Sequence, residues 1–425
     1  MKNLFKFLIT VLLSLLARFV VRRYRPHIVM VTGSVGKTST KDAVAAVLST
    51  RFSVRKSEKS FNSEFGVPFT ILGVDNPWDN PMAWFSLIKR ATALLVLPNI
   101  YPKMLVLEVG ADRPGDLARI LRIVTPDVVV VTPLPEIPVH VEAYSSPEAV
   151  REEEFSPAYA LHAAAPLIIS ADDAYARENA LRTPARIISY GLDAKATVHV
   201  SKVGYAMALG QVEGMHADVS LQGEHKTITV KGSVGGAQVF PGAAALAVAI
   251  AFDIGADAAL AALEASYEPP AGRGRLLKGK EGSLIIDDSY NASPIAVEFA
   301  LHTLKDFPHA TRRIAVLGDM LELGRYSVTE HQRIGALARS SADIVVAVGI
   351  RSRAFALAEG AAEVLLYDNA RAAGDALVST IRPGDVILVK GSQSIRTEHI
   401  VKTLLADPAD ASRLVRQERK WRTKE

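Results

Sequence analysis

The chain has 425 residues, 49% of them hydrophobic, a net charge of only +4 and no cysteine. Such a chain holds two or three cored domains, which excludes a disordered or disulfide-stapled protein and any zinc site built on cysteine. Basic residues gather at the ends, at Arg18, Arg22, Arg23 and Arg25 and again at Arg413, Arg416, Arg419, Lys420, Arg422 and Lys424, with no aromatic residues alternating with a basic run in the body; a membrane surface or plain solubility is expected of them, and nucleic acid is not.

Residues 4–21, LFKFLITVLLSLLARFVV, form the strongly apolar segment. Its uninterrupted part, Phe7 to Ala17, is shorter than the ~18–20 residues of a clear spanning helix. Lys2, Lys6, Thr10, Ser14, Arg18 and Arg22 recur every four residues and lay a polar stripe along a helix. The expectation is an anchor helix over residues 1–26 whose first 25 residues meet a membrane surface, lying in the interface or dipping through it with the charges snorkelling. A cleavable leader is the alternative, but no A-x-A site follows the apolar run. Arg22, Arg23 and Arg25 would keep the body on the cytoplasmic face of the cell membrane, or the protein is simply cytoplasmic.

The next stretch, MVTGSVGKTSTKDAVAAVL from Met30, passes from a β-rich run through two glycines into a helical pattern. It reads as a phosphate-binding loop. Gly33 and Gly36 let successive N–H groups face an anion, and the helix that follows adds its positive N-terminus. Lys37 would reach the outer phosphates, and the Thr38 hydroxyl would help to hold Mg²⁺. The pattern GxxxxGK[ST] asks for glycine at position 31, where this chain has Val31.

Downstream, MLVLEVG, DVVVVTP, APLIISADD and ARIISYG are β-branched runs of the buried, parallel-sheet kind, separated by helical patterns. Thr197 to Val230 alternates short strands and turns, so a small β layer is expected inside or beside the sheet, followed by an alanine-rich helix from Gly242 to Phe252. PPAGRGR, Pro269 to Arg275, is a hinge candidate. Five further strands follow it, beginning at SLIIDD, RIAVLGD, DIVVAVG, EVLLYD and DVILVKGS, so the second half reads as Rossmann-like although it lacks GxGxxG. The predicted division is an anchor helix over 1–26, an ATP-binding α/β domain over 27–270 and a Rossmann-like α/β domain over 271–425.

TGSVGKTSTKD, LEVGADRPGDL, IIDDSYNASP and VLGDMLELG, with LVKGS in support, together resemble the ATP-dependent Mur ligases, and within them the branch that adds D-alanyl-D-alanine to a muramoyl tripeptide. The resemblance covers about residues 28–405. It implies phosphorylation of a carboxylate by ATP and attack of an amine on the acyl phosphate, with Mg²⁺ as cofactor. A peptidoglycan-precursor peptide and a dipeptide or amino acid are the implied substrates of what is expected to be a monomer. It also implies roles. Gly33, Ser34, Gly36, Lys37, Thr38 and Ser39 would bind the nucleotide, and Glu108 and His140 would organise a second Mg²⁺. Asn62, Asn291, Lys390 and Ser392 would touch the ligated substrates, and Arg273, Asp288 and Tyr290 would complete the nucleotide site.

The chain departs from the family pattern at four places. Counting forward from His140, the family's carbamylated lysine falls at Glu154, which supplies the same charge from a shorter arm; the expectation is that it replaces that lysine as a metal-organising catalytic residue, against the alternative of an exposed acidic turn. The family's G-x-HN-x-x-N segment stands here as GAQVFPG, with Gln238 in place of one asparagine and Pro241 in place of the other. Gln393 occupies the place of a family arginine. Family members also carry a UDP-holding domain ahead of the phosphate loop, where this sequence has an apolar helix, so either the remaining domains suffice for a UDP-linked muropeptide or the acceptor is a related, lipid-linked one; the same chemistry on a polyglutamyl acceptor is a further alternative, and Glu154, Pro241 and Gln393 motivate a non-catalytic wall-synthesis scaffold.

Overall fold

The computed structural model describes residues 2–58, 61–77, 80–417 and 421; Arg419, Lys420, Arg422 and Lys424 of the basic C-terminus lie outside the described residues. The first half is built on β1 (His27–Thr32), β2 (Val54–Lys56), β3 (Met104–Glu108), β4 (Val128–Val131), β5 (Pro166–Ser170) and β6 (Arg186–Gly191), all parallel and ordered β2-β3-β1-β4-β5-β6. Runs such as Val128–Val131 are buried along their whole length, because helices cover both faces of a parallel sheet. Those helices include α1 (Lys2–Tyr24), α2 (Lys37–Leu48), α3 (Gly66–Leu72), α4 (Pro81–Val96), α5 (Asp116–Leu121), α6 (Pro147–Tyr159) and α7 (Ala174–Ala180). α8 (Phe240–Ala251) packs its small alanines closely on α2, and α9 (Ala256–Ser266) follows.

The expected small β layer continues the same sheet. β7 (Val198–Ala208) pairs with β6 over two residues, Tyr190 with Val198 and Gly191 with His199, and then turns back through β8 (Gln211–Leu221) and β9 (Glu224–Lys231) as an antiparallel ribbon. Nine strands therefore form one sheet.

The second half has β10 (Arg275–Lys278), β11 (Leu284–Asp288), β12 (Arg312–Gly318), β13 (Ile344–Val348), β14 (Glu363–Tyr367) and β15 (Asp385–Lys390) in the order β10-β11-β15-β12-β13-β14. The five strands read from sequence are β11 to β15. β10 is an additional antiparallel edge that begins inside the hinge candidate. Helices α10 (Pro294–Lys305), α11 (Ser327–Ser341), α12 (Ala370–Val378) and α13 (Glu398–Leu404) flank this sheet.

One apolar cluster belongs to both halves: it joins Val29, Val31, Val200 and Ala217 to Leu301, Leu304, Phe307 and Leu388. Tyr205 of β7 reinforces it, donating to the Thr303 carbonyl at 2.8 Å and meeting the Phe307 ring edge-on at 5.4 Å. At the N-terminus, α1 packs on α3 and α4 through Ile9, Leu13, Ala17 and Val20. No helix among the described residues is long and apolar enough to cross a membrane.

Candidate active site

The phosphate loop leaves the carboxyl end of β1, a central strand, and enters α2 at Lys37. Gly33 has φ 112°, and a Cβ there would sit 2.3 Å from the Thr132 carbonyl oxygen, so the loop can lie against β4 only with glycine at this position. The amides of Ser34 and Val35 donate to the Pro133 carbonyl at 3.2 and 3.3 Å, which fixes the loop's path, and Gly36 turns through φ 86° into the helix.

Lys37 donates to the Gly33 carbonyl and stands 3.4 Å from Glu154 Oε1. Glu154 is only 2% exposed and accepts a hydrogen bond from the Ser34 hydroxyl. The acidic triplet of α6 is thus divided by helix phase. Glu153 caps the start of α5 by accepting from the amides of Gly115 and Leu117, Glu152 accepts from Tyr175, and Glu154 alone turns under the loop. The exposed-turn alternative does not hold for it.

Thr38 Oγ1 donates to Glu108 Oε1 at 3.1 Å. The Glu108 backbone N–H donates to the Ser57 hydroxyl, while its second carboxylate oxygen is buried with no hydrogen-bond partner among the described residues. Burial pushes the Glu108 carboxyl up, against the pull of Lys41, Arg273 and Lys37. Lys41, four residues beyond Lys37 on the same helix face, is buried, donates to the Ser57 carbonyl at 2.8 Å and lies 3.8 Å from Glu108 Oε2. Sequence reasoning passed over it, although its i+4 spacing from Lys37 was a usable signal.

The opposite wall comes from the second half. Arg273, held between glycines 272 and 274 at φ 67° and 71°, crosses the cleft to donate to Thr38 Oγ1 at 3.2 Å, and its guanidinium lies 4.3 Å above the Tyr290 ring centroid. Asp288 ends β11 and accepts from Lys390 at 2.7 Å; Lys390 also donates to the Asn291 carbonyl at 3.0 Å. The Ser392 hydroxyl accepts from the Leu321 amide. Arg416, which composition assigned to a membrane surface or solubility, has its side chain turned inward instead, 5% exposed: it pairs with Glu398 and donates to the carbonyls of Ser289 and Tyr290, bracing the loop after β11.

Between the walls runs a cleft of about 510 Å³ lined by Ser34, Gly36, Lys37, Thr38, Asn62, Glu108, His140, Arg273, Asp288, Tyr290, Asn291, Lys390, Ser392 and Gln393. Trp421 stands at the same cleft. A smaller cavity adjoins it and brings in Ser39, Gln238 and Pro241 beside Phe299 and Thr303. The Gln238 side-chain amide donates to the Arg273 carbonyl at 3.0 Å, so it braces the Pro269–Arg275 turn from within this cavity.

His140, also in the lining of the cleft, is held between two carboxylates. Its Nδ1 meets Glu322 Oε2 at 2.9 Å and its Nε2 lies 3.6 Å from Asp112. Burial would lower its pKa, but the bond to Glu322 and the two carboxylate charges outweigh burial and hold it above its ordinary value. Among the described residues no three His, Asp or Glu side chains are gathered into one metal cluster; Glu108 and His140 line the same cleft, and Glu154 stands beside Lys37. The Thr38 hydroxyl and the Glu108 carboxylate, side by side at the phosphate loop, are hard oxygen donors of the kind that suit a magnesium ion. Glu322 was legible only as part of the GDMLELG stretch, and Arg416 carried no signal.

Residues 31–229 match the Mur ligase middle domain and residues 272–393 the Mur ligase glutamate ligase domain. The UDP-N-acetylmuramoyl-tripeptide–D-alanyl-D-alanine ligase of Mycobacterium tuberculosis (strain CDC 1551 / Oshkosh) is 30% identical over 406 residues, 89% of this chain and 73% of that protein. The protein of the same name from Bacillus subtilis (strain 168) is 28% identical over 403 residues, 93% of this chain and 79% of its own length. Among solved structures, the MurF ligase from Thermotoga maritima in complex with ADP superposes with a TM-score of 0.77 at 25% identity, covering 93% of this chain and 83% of that one. With both domains matched in order around this cleft, the chain belongs to the Mur ligase family of ATP-dependent ligases.

Proposed function

We propose that the protein joins D-alanyl-D-alanine to the peptide of a muramoyl-tripeptide precursor of peptidoglycan, through an acyl phosphate formed from ATP. The observation that carries this reading is the cleft itself, with a phosphate loop on one wall and the Arg273, Asp288 and Lys390 cluster on the other. The names of the relatives that cover most of the chain supply the substrates. In the first step a carboxylate oxygen of the tripeptide attacks the γ-phosphorus and ADP departs. In the second the dipeptide amine attacks the acyl carbon, loses a proton and expels phosphate, leaving the amide.

The work of the residues is positioning and charge neutralisation, which dominate phosphoryl transfer. Lys37 holds the outer phosphates from beneath, and Arg273 reaches them from the other half. Magnesium, when bound at Thr38 and Glu108, neutralises the transferring phosphoryl group. Glu154 does the work expected of the family's carbamylated lysine in a changed form: it fixes Lys37 and Ser34 directly and needs no CO₂. Asn62, Asn291 and Ser392 are read as contacts to the ligated substrates, with residues 27–270 and 271–425 as the two working domains of a monomer.

The test is phosphate release with ATP and Mg²⁺, comparing UDP-muramoyl tripeptide plus D-alanyl-D-alanine with each omitted in turn. Release that needs both, with the amide product found by mass, is expected. Nucleotide binding without release would instead favour a scaffold.

A further inference from the structure

A helix on the surface of a domain ordinarily has one apolar face, but α1 has two. Ile9, Leu13, Ala17 and Val20 are buried, while Leu8, Val11, Leu12, Leu15 and Phe19 face outward, Leu8 at 56% exposure. α4 repeats the pattern: Leu87, Ala91 and Leu94 are buried, whereas Met82, Phe85 and Ile88 are exposed, Phe85 at 73%. Ile100, just past its end, is fully exposed. The two helices are fixed to each other. Arg23 donates to the carbonyls of Leu95 and Leu97, and the Tyr24 hydroxyl donates to the Leu94 carbonyl at 2.8 Å.

Along α1 and α4 themselves charge has a single sign. No Asp or Glu occurs between Met1 and Lys41 or between Asn80 and Leu107. Arg18, Arg22, Arg23, Lys89 and Arg90 are all exposed. A second copy of the chain seated here would bring like charges together, whereas a bilayer carrying anionic headgroups meets both the cations and the apolar side chains. We propose that α1 and α4 together form an in-plane docking surface for an anionic membrane, their outward apolar residues entering the acyl boundary and their cations meeting lipid phosphates. This extends to α4 the contact expected of residues 1–25 and stands apart from the ligase reading, since it needs no substrate.

The test is flotation of the full chain with phosphatidylcholine vesicles, with and without about 30 mol% phosphatidylglycerol. Wild type is expected to float with the anionic vesicles and to remain behind with the neutral ones. Phe85→Asp with Ile88→Asp, and separately Arg18→Glu with Arg22→Glu, should each cut partitioning roughly tenfold. Both doubly substituted proteins should keep the wild-type circular dichroism and ligase activity on soluble substrates, because the changed side chains are exposed and outside the cleft. Failure of wild type to float overturns the proposal. So does undiminished flotation of the Phe85→Asp, Ile88→Asp protein, or a lipid-free dimer in sedimentation velocity that these two substitutions dissolve.

Discussion

Glu154 decides how the phosphate loop lysine is held. Its carboxylate is buried beside Lys37 and Ser34, so Glu154→Gln keeps the shape and removes the charge. Turnover should then fall on the order of 10²-fold while nucleotide affinity, measured by calorimetry, changes far less. Adding bicarbonate should leave wild-type turnover unchanged. A second residue-scale test concerns Asp287, which is fully buried and pushed up from 3.8 to about 6 by burial, despite hydrogen bonds from Ser289. Its folded form binds a proton more tightly than the unfolded chain, so the contribution of this group to stability is fully present below 3.8 and is lost as pH rises through about 6. Asp287→Asn should therefore stabilise the protein by up to about 3 kcal/mol above that pH, an advantage that shrinks on acidification, as thermal melts at several pH values would show. Position 154 could be reached in the sequence by counting from His140. Its burial could not, because three adjacent glutamates differ only in helix phase, which depends on where α6 starts and what it packs against. The pairing of His140 with Glu322 was hidden for a related reason: it joins residues far apart in the chain.

At the scale of elements, the loop between β1 and α2 is fixed by the closeness of Gly33 to β4. Gly33→Ala would place a methyl group 2.3 Å from the Thr132 carbonyl oxygen at a φ of 112°. The loop must move, and the expected result is loss of ATP binding together with about 1–3 kcal/mol of stability, read by calorimetry and denaturant melts. The buried strands were legible because β-branched runs of four to six residues have few other uses. β10 was not. RLLK is short, follows directly on a glycine-rich turn and pairs antiparallel at an edge, so nothing local separates it from the hinge. The β7 to β9 ribbon was legible as strands, but its attachment rests on two residue pairs with β6, which no local pattern announces.

Across the whole molecule, the cleft is bridged by polar contacts between the halves, among them Arg273 with Thr38 and His140 with Glu322, beside the apolar cluster that both halves share. Arg273→Ala should raise the KM for ATP roughly tenfold and loosen the arrangement, seen as a larger radius of gyration in X-ray scattering. The apolar cluster shared by the two sheets has another consequence, for descent rather than catalysis. Its side chains come from both sides of residue 270, so the two halves are not interchangeable parts. Residues 272–425 made alone would expose Leu301, Leu304 and Phe307, and would lose the contact that Tyr205 makes with Phe307. Substitutions on one side of residue 270 then restrict which are tolerated on the other, and the halves must be inherited as a pair.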